Sequence, residues 1–449
     1  MSASAERSSG TRAYGKGAAI LSVGIGVTGL ITYAYFALAS HSLSKDDYGR
    51  ISLLWSAVFI VVSVLYRPVE QLLSRTIADR AARGQTGSEH LRVAATIQLG
   101  LGLLFVVLAL VFRHRLEDKL FDGHNTLYYV LVVAVLCYAA SYFARGFLAG
   151  SRMFGLYGGL VFIESLARCM FALAVAVGIA HGANVTAMGI AAAPLLSLVV
   201  VPWALGSRIR SGGAAAAAAE PTAEPQEMGG EPDVSEPEFT LSNGAGFAVA
   251  VLLIMLCEQA IYNAGPLLIK ATQSPSAEGT ALAGFAFNVL LIARAPLQLF
   301  QAVQTSILPH LTTLRATGET DPFRRSIQVT LSAIAVFAGA VALAMAALGP
   351  TIMRIAFGGN FHYSRGGLVM IAAGMGFYLS AATLNQAALA HAQAKQAAAA
   401  WGITAVAFVV FLLLPGFDNR VLQLEAGFLG AAGLLCGLLY ALYRRSVSA

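Results

Sequence analysis

The sequence has little charge for its length. Only 12% of its 449 residues are charged, whereas 57% are hydrophobic. Soluble domains carry about 25% charged residues, so this chain lacks the polar surface of a water-soluble fold. It also lacks the ~10-residue alternating segments of a transmembrane β-barrel. Its apolar runs are instead about twenty residues long, the length at which a helix crosses the hydrocarbon core. The sequence therefore predicts an all-α integral membrane protein.

Cysteines and catalytic motifs are also scarce. The four cysteines lie inside apolar runs, which favours packing roles over disulfides or metal ligands. The sequence contains no Walker A motif, no HExxH motif and no close pair of histidines. We therefore expect no enzymatic activity, no metal and no cofactor. The net charge of +6 comes from residues scattered through short loops, so it does not indicate a nucleic-acid partner.

Twelve apolar runs predict twelve membrane spans. Of the 29 lysines and arginines, eighteen flank the predicted inner ends of the spans and nine flank the outer ends. The positive-inside rule then places both termini in the cytoplasm. The predicted spans are 17–39, 51–70, 92–112, 126–147, 157–181, 183–204, 244–269, 281–304, 327–349, 366–389, 396–415 and 424–443.

One long polar segment divides the spans into two sets of six. Residues 211–240 contain seven acids and four prolines but no lysine or arginine. This composition cannot form a packed core and predicts a disordered cytoplasmic linker. The linker is either a passive tether or a regulatory docking segment. The predicted domains are an N-terminal six-helix lobe (1–205), the linker (206–240) and a C-terminal six-helix lobe (241–449).

The two sets of spans share a short pattern. Span two ends with Arg67-Pro68 and span eight contains Arg294-Ala295-Pro296, and a polar residue, Glu70 or Gln298, follows each proline by two positions. Both sets begin on the same side of the membrane, so the repeat predicts two parallel lobes related by an axis along the membrane normal. Pro68 and Pro296 leave helix carbonyls unpaired, so we expect hinges there, with static kinks as the alternative.

Ionisable residues inside the spans are costly and usually face a cavity or each other. Glu164 and Arg168 are four residues apart with the acid first, the favourable order for a helical ion pair. They form either a local ion pair, or a site in which Arg168 faces a cavity and Glu164 modulates the electrostatics of Arg168. Arg67, with Glu70 nearby, either faces a cavity or extends to the inner lipid head groups.

The second half of the chain supplies further candidates. Arg294 has no acid within four residues, so it needs a partner from another helix, water or a ligand. Glu258 is either a proton or sodium coupling site or a structural hydrogen-bonding group. The predicted substrate cavity is formed by Arg67, Glu70, Arg168, Arg294, Gln298, Gln259 and Asn263, and the predicted ion-coupling residues are Glu258 and Glu164.

Several local motifs resemble one transporter superfamily. They are Asp47-Tyr48-Gly49, Arg145-Gly146-Phe147-Leu148-Ala149-Gly150, Ser306-Ile307-Leu308-Pro309 and Phe357-Gly358-Gly359-Asn360-Phe361. With twelve spans and prolines in spans two and eight, the chain resembles the multidrug/oligosaccharidyl-lipid/polysaccharide (MOP) exporters, and within them the polysaccharide flippases. The resemblance covers the chain apart from the linker and implies a MATE-like fold. The long acidic linker is a departure from the family pattern.

The resemblance implies that polyprenyl-pyrophosphate-linked oligosaccharide is flipped across a bacterial plasma membrane by alternating access. It also implies, as partners, membrane lipids and a polysaccharide polymerase or glycosyltransferases. Arginine suits such a substrate because its guanidinium binds phosphate oxygens in pairs. The alternatives are an ion-coupled multidrug exporter, which would need acids as the main cavity charge, and a lipid II flippase, which usually has two further spans.

Overall fold

The structure, a computed structural model, is all-helical in the part of the chain it describes. Eleven helices in this part are long and apolar enough to cross a membrane. A further helix over 26–42 corresponds to the described part of the first predicted span. The prediction of an all-α membrane fold is confirmed. The described residues are 24, 26–82, 87–203, 206, 241–273, 276–294, 320–359, 361–391, 393–415 and 417–448.

The described part of the first lobe contains seven long helices. Counted along the chain, the third helix packs on the fifth, and the seventh packs on both the fifth and the sixth. A short helical turn, Arg113–Arg115, and a π-helical turn, Leu116–Leu120, follow the fourth helix on the predicted outer side. The helices are α1 (26–42), α2 (Lys45–Leu65), α3 (Arg67–Ala82), α4 (Glu89–Val111), α5 (Asn125–Gly150), α6 (Phe154–Ala176) and α7 (Ala183–Ser197).

The second lobe is built around its fourth helix, which packs against its third and its sixth. Ser364 caps this fourth helix, because its hydroxyl accepts a hydrogen bond from the backbone N–H of Gly367 at 3.1 Å. The helices are α8 (Leu241–Thr272), α9 (Ala277–Arg294), α10 (Thr320–Phe357), α11 (Arg365–Ala390), α12 (Ala394–Leu413) and α13 (Arg420–Ser448). The two lobes meet where α8 packs on α2.

The second predicted span is two helices in the structure. Helix α2 ends at Leu65, and α3 begins at Arg67 and continues to Ala82, well beyond the predicted end of the span at residue 70. Pro68 explains the break, because it has no N–H to donate to the carbonyl four residues earlier. In the first turn of α3 the same missing N–H costs little.

Helix α5 extends further than the predicted span 126–147. It ends at Gly150, so Arg145, one of the eighteen residues counted at the predicted inner ends, lies more than one turn before the end of the helix. A Cβ added at Gly146 would lie 2.8 Å from the carbonyl oxygen of Glu70, and one at Gly150 would lie 2.7 Å from that of Ser74. The backbones of α5 and α3 therefore touch at these glycines, which brings Arg145 and Glu70 close together.

Several predictions concern residues that the structure does not describe. The linker, apart from residue 206, lies outside the described residues, as do the cavity candidate Gln298 and the hinge candidate Pro296. The motif at 306–309 also lies outside them. These stay predictions.

Candidate functional site

A cavity of about 150 Å³ lies between the two lobes. Helices α1 and α2 of the first lobe face helices α8 and α9 of the second across it. Its polar wall is formed by Glu258, Gln259, Asn263 and Arg294, and its aromatic wall by Tyr33, Phe36, Trp55, Phe59 and Tyr262. The cavity lies along the middle of the spans, away from both ends of the bundle.

The polar wall follows from the spacing of residues in α8. Positions 258, 259, 262 and 263 fall on one face of a helix, because residues three or four apart lie above each other. The Asn263 side-chain amide donates to the Gln259 side-chain oxygen at 3.0 Å, which fixes both groups in the wall. Three predicted cavity residues, Gln259, Asn263 and Arg294, and the predicted coupling residue Glu258 are thus brought together.

Arg294 finds its partners on another helix. Its Nη2 donates to the carbonyl oxygen of Tyr262 and, at 2.9 Å, to Oδ1 of Asn263. The guanidinium carbon lies 4.9 Å from the centre of the Phe287 ring, and Nε is buried without a hydrogen-bond partner. The two hydrogen-bond acceptors of Arg294 are both neutral, so no carboxylate among the described residues compensates its charge.

A second group of charges is buried inside the first lobe, and we call Arg145, Glu164 and Arg168 the N-lobe ion cluster. Glu164 is 3% exposed and accepts from Arg145 Nη2 at 2.6 Å and Arg168 Nη2 at 3.1 Å. The Ser141 hydroxyl donates to the same carboxylate at 2.9 Å. Glu164 and Arg168 therefore form the local pair that was one of the two predicted arrangements. The sequence did not single out Arg145 as a cluster residue.

The N-lobe ion cluster lies behind the aromatic wall of the cavity. Arg168 is 3% exposed, and its guanidinium carbon lies 4.5 Å from the centre of the Trp55 ring. Its Nη2 also donates to the Tyr138 hydroxyl at 2.9 Å. Phe59 stacks on Trp55 with ring centroids 4.2 Å apart. The structure thus places Arg168 one aromatic layer away from the inter-lobe cavity.

Arg67 and Glu70 lie between the two charged regions. Both are half-buried, and the carboxylate of Glu70 accepts from the Tyr157 hydroxyl at 3.0 Å. Arg67 interacts electrostatically with Glu70 in its own lobe and with Glu258 in the other. Glu70 and Tyr157 also line a separate cavity of about 350 Å³ between α3 and the neighbouring ends of α5 and α6. Arg67 therefore connects the first lobe electrostatically to the polar wall of the inter-lobe cavity.

On the predicted outer side the lobes are joined by polar contacts, which we call the outer inter-lobe contact. Lys270 is 2% exposed, and its Nζ donates to Asp122 Oδ1 at 2.5 Å and to Thr280 Oγ1 at 2.6 Å. The Thr280 hydroxyl in turn donates to Asp122 Oδ2 at 2.6 Å. Asp122 belongs to the first lobe and the other two residues belong to the second, so this buried ion pair bridges the lobes.

A chain of neutral groups extends the outer inter-lobe contact. The Tyr48 hydroxyl donates to Asn288 Oδ1, and Asn288 Nδ2 donates to the Tyr363 hydroxyl oxygen at 3.2 Å. Burial raises the pKa of the Tyr363 hydroxyl, so this group stays neutral at physiological pH. The contact therefore contains one charged bridge and one neutral bridge.

Gly49 lets the lobes approach closely at this contact. A Cβ added there would lie 2.1 Å from the carbonyl oxygen of Thr280, and one added at Gly284 would lie 2.8 Å from the Gly49 Cα. The backbones of α2 and α9 are thus in direct contact. Tyr48 and Gly49 of the motif Asp47-Tyr48-Gly49 therefore hold the lobes together, while Asp47 forms a local ion pair with Arg50 at 2.7 Å.

No family model matches the sequence. Uncharacterized proteins of Mycobacterium tuberculosis and Mycobacterium bovis are 25% identical to the chain over 426 residues, covering 92% of this chain and 86% of each of them. Among solved structures, an inward-facing multidrug resistance MATE family transporter of the MOP superfamily aligns with a TM-score of 0.63 at 12% identity, covering 96% of this chain and 98% of that one.

The chain has the fold of MATE transporters. A MATE structure in the bent conformation aligns with a TM-score of 0.61 at 9% identity, and the alignment covers 97% of this chain and 96% of that one. An outward-facing member aligns with a TM-score of 0.58 at 13% identity and covers 96% of both chains. The MATE-like fold implied by the family resemblance is confirmed, and the polysaccharide flippase branch, which the local motifs resemble, stays a prediction.

Proposed function

We propose that this protein carries a lipid-linked oligosaccharide pyrophosphate across the bacterial plasma membrane by alternating access of its two lobes. The pyrophosphate would bind in the inter-lobe cavity, which at about 150 Å³ has to widen as the lobes move in order to admit the sugars, while the polyprenyl chain stays in the lipid. The observation that carries the proposal is Arg294, whose guanidinium lines the cavity and whose hydrogen-bond acceptors among the described residues are both neutral. Such a cation suits an anionic ligand better than a cationic one.

The surroundings of the cavity support an anionic cargo. Arg168 lies behind Trp55, and Arg67 lies within electrostatic range of Glu258. A pyrophosphate that leaves water in a membrane loses the solvation of its charge, and the Arg294 guanidinium in the cavity wall would replace part of it. The N-lobe ion cluster, with two arginines and one glutamate, adds a net positive charge behind that wall. Gln259 and Asn263 add neutral donors and acceptors of the kind that sugar hydroxyls bind.

The arrangement of the lobes supports alternating access. The outer inter-lobe contact closes the predicted outer side through Lys270 and Asp122, and the cavity lies nearer the middle of the spans. Transport requires that this contact opens when the cavity is loaded. Polar hydrogen bonds and one glycine contact can separate without exposing a large apolar surface, which suits a contact that has to open.

A multidrug exporter is the second candidate, favoured by a different feature of the same cavity. Glu258 makes no ion pair within 4 Å among the described residues, and the aromatic wall contains Tyr33, Phe36, Trp55 and Phe59. A carboxylate beside aromatic faces suits an organic cation. The solved MATE structures of the same fold include multidrug resistance transporters.

Mass spectrometry of polyprenyl-linked glycans after depletion of the protein separates these candidates. Accumulation of a complete lipid-linked repeat unit, together with loss of the surface polymer, would support the flippase and identify its glycan. An unchanged lipid-linked pool, together with increased sensitivity to cationic dyes, would support the exporter and contradict the flippase.

Complementation with variants links the result to the cavity. We expect Arg294→Gln to restore neither the surface polymer nor the normal lipid-linked pool, although the protein is inserted. The matched control is Arg365→Gln, which removes an exposed arginine at the predicted outer end of α11. This control should complement like the wild type. Full complementation by Arg294→Gln would exclude Arg294 from the transport site.

A further inference from the structure

Helix α8 contains a break in its hydrogen-bond ladder at Pro266. Proline has no N–H, so the carbonyl of Tyr262, four residues earlier, lacks its helical donor. At membrane depth water does not replace such a donor, and another protein group must satisfy the carbonyl. Arg294 does so, because its Nη2 donates to this oxygen. The Arg294 side chain on α9 thus supplies the hydrogen bond that Pro266 removes from α8.

The break lies between the cavity and the outer inter-lobe contact. Asn263, in the cavity wall, precedes Pro266 by less than one turn, and Lys270 follows it by about one turn. Lys270 is the residue of α8 that bridges to Asp122 of the other lobe. The short segment of α8 beyond Pro266 therefore connects the cavity directly to the contact that must open.

We propose that Arg294 is a positioning residue that holds α8 across the Pro266 break, and that the anionic group of the cargo competes for the same guanidinium. This inference rests on the proposed function and specifies how loading is sensed. When the anion captures Arg294, the Tyr262 carbonyl loses its donor. The segment that carries Lys270 then moves relative to the rest of α8, and the outer inter-lobe contact weakens.

The chemistry of the guanidinium supports this competition. Arg294 now donates to a carbonyl and an amide oxygen, both neutral, while its buried Nε has no hydrogen-bond partner in the part of the chain that the structure describes. Hydrogen bonds to an ionised phosphate are roughly twice as strong as those to neutral acceptors, and a guanidinium forms them in pairs. A phosphate oxygen therefore outcompetes the Tyr262 carbonyl, whereas an uncharged lipid does not.

A double-mutant cycle on the unfolding temperature of the purified protein tests the structural half of the proposal. Arg294→Gln should lower the unfolding temperature by about 2–4 °C, because the Tyr262 carbonyl loses its donor. Pro266→Ala supplies a backbone N–H to the same carbonyl. In the Pro266→Ala background, Arg294→Gln should therefore cost less than half as much.

The matched control is Pro194→Ala, a proline within α7 of the other lobe. In that background the cost of Arg294→Gln should be the same as in the wild type. Equal costs in the wild-type and Pro266→Ala backgrounds would overturn the proposal. If Arg294→Gln alone does not fold, the double variant decides: folding of the Arg294→Gln/Pro266→Ala protein supports the proposal, and its failure overturns it.

The second part of the proposal, that the cargo anion weakens the outer inter-lobe contact, is tested by the distance between two spin labels. The labels are attached to cysteines introduced at the exposed positions Asp118 and Glu278, after the four native cysteines are replaced by alanine. Farnesyl pyrophosphate should widen this distance by several ångströms, and farnesol, which lacks the phosphates, should not. In the Pro266→Ala variant, farnesyl pyrophosphate should leave it unchanged. Equal widening in both proteins would overturn the proposal.

The two experiments are independent of the glycan measurement. If depletion leaves the lipid-linked pool unchanged while the double-mutant cycle still shows coupling, the proposed cargo is wrong and the link between Arg294 and Pro266 stands. If the pool accumulates and the cycle is additive, the flippase stands and this inference fails.

Discussion

Two membrane-embedded glutamates, one in each lobe, lie in opposite surroundings. Glu164 is 3% exposed and receives hydrogen bonds from two arginines and a serine. Glu258 is half-buried in a cavity wall, makes no ion pair within 4 Å among the described residues and interacts with Arg67 only at longer range. The same functional group is the shared acceptor of two arginines in one lobe and has no described lysine or arginine within 4 Å in the other.

This difference distinguishes a carboxylate that stabilises the fold from one that is suited to bind and release protons. Protonation of Glu164 would leave the buried Arg168 and the largely buried Arg145 without their shared counter-ion, so this carboxylate has little freedom to exchange protons. Of the two residues predicted for ion coupling, Glu258 therefore has the more suitable surroundings. The coupling role itself stays a prediction for both.

The substitution Glu164→Gln breaks the comparison most strongly. It leaves the guanidinium groups of Arg145, which is 12% exposed, and of Arg168, which is 3% exposed, without their shared carboxylate. We expect a loss of about 3–5 kcal/mol in the free energy of unfolding, enough to prevent isolation of a folded protein. The measurement is the yield and monodispersity of the purified protein, followed by its unfolding temperature. A normal unfolding temperature would show that the N-lobe ion cluster is not structural.

The substitution Asp122→Asn tests the other buried ion pair, which bridges the lobes instead of lying within one. Asn is well tolerated at the left-handed backbone of Asp122 (φ 51°), so mainly the charge changes. Lys270 loses its carboxylate, which should destabilise the outer inter-lobe contact by about 2 kcal/mol. We expect the distance between labels at Asp118 and Glu278 to shift towards larger values.

Glu117→Gln is the matched control for that experiment. It removes the ion pair between Glu117 and Arg113, which lies on the same outer side but within one lobe. The arginine of this pair is 38% exposed and the glutamate 7% exposed, and the amide oxygen of the variant can still accept from Arg113, so the inter-lobe distance should not change. An unchanged inter-lobe distance in Asp122→Asn, or an equal shift in the control, would contradict the bridging role of Lys270.

Gly49→Ala tests the same outer contact by steric means. The added methyl group would lie 2.1 Å from a backbone oxygen of the other lobe, so the lobes must separate locally, at a cost of about 1–3 kcal/mol. Gly159→Ala is the control, since a Cβ there has no atom of another element within 4 Å. Closed lobes in Gly49→Ala, judged by the same label pair, would show that the contact yields without opening.

The spans were predictable because hydrocarbon imposes a strong local pattern on the sequence. The ends of the helices were less so: α3 continues to Ala82 and α5 to Gly150, since polar residues can extend a helix beyond the membrane. The Glu164–Arg168 pair was predictable from its spacing of four residues. Helical spacing also placed Gln259 and Asn263 in one wall.

The contacts between distant parts of the chain were not predictable. Lys270 and Asp122 are 148 residues apart, and no local pattern links them. Arg145 was treated as a flanking charge because its role depends on the packing of α5 against α6. The pairing of Arg294 with the Tyr262 carbonyl had one signal in the sequence, Pro266. A proline leaves the carbonyl four residues earlier without its helical donor, but the sequence does not show which group replaces that donor.

Glu258→Gln should have the smallest effect on stability and sharpens the comparison most directly, since the same change is made at both carboxylates. No guanidinium of the described residues lies within ion-pair distance of Glu258, so the free energy of unfolding should change by less than about 0.5 kcal/mol. If Glu258 exchanges protons during transport, the variant should fold normally and lose the dependence of transport on the proton gradient. Transport in proteoliposomes with and without a pH gradient measures this. A variant that keeps its response to the gradient would assign coupling elsewhere, and one that fails to fold would place Glu258 with Glu164 among the structural charges.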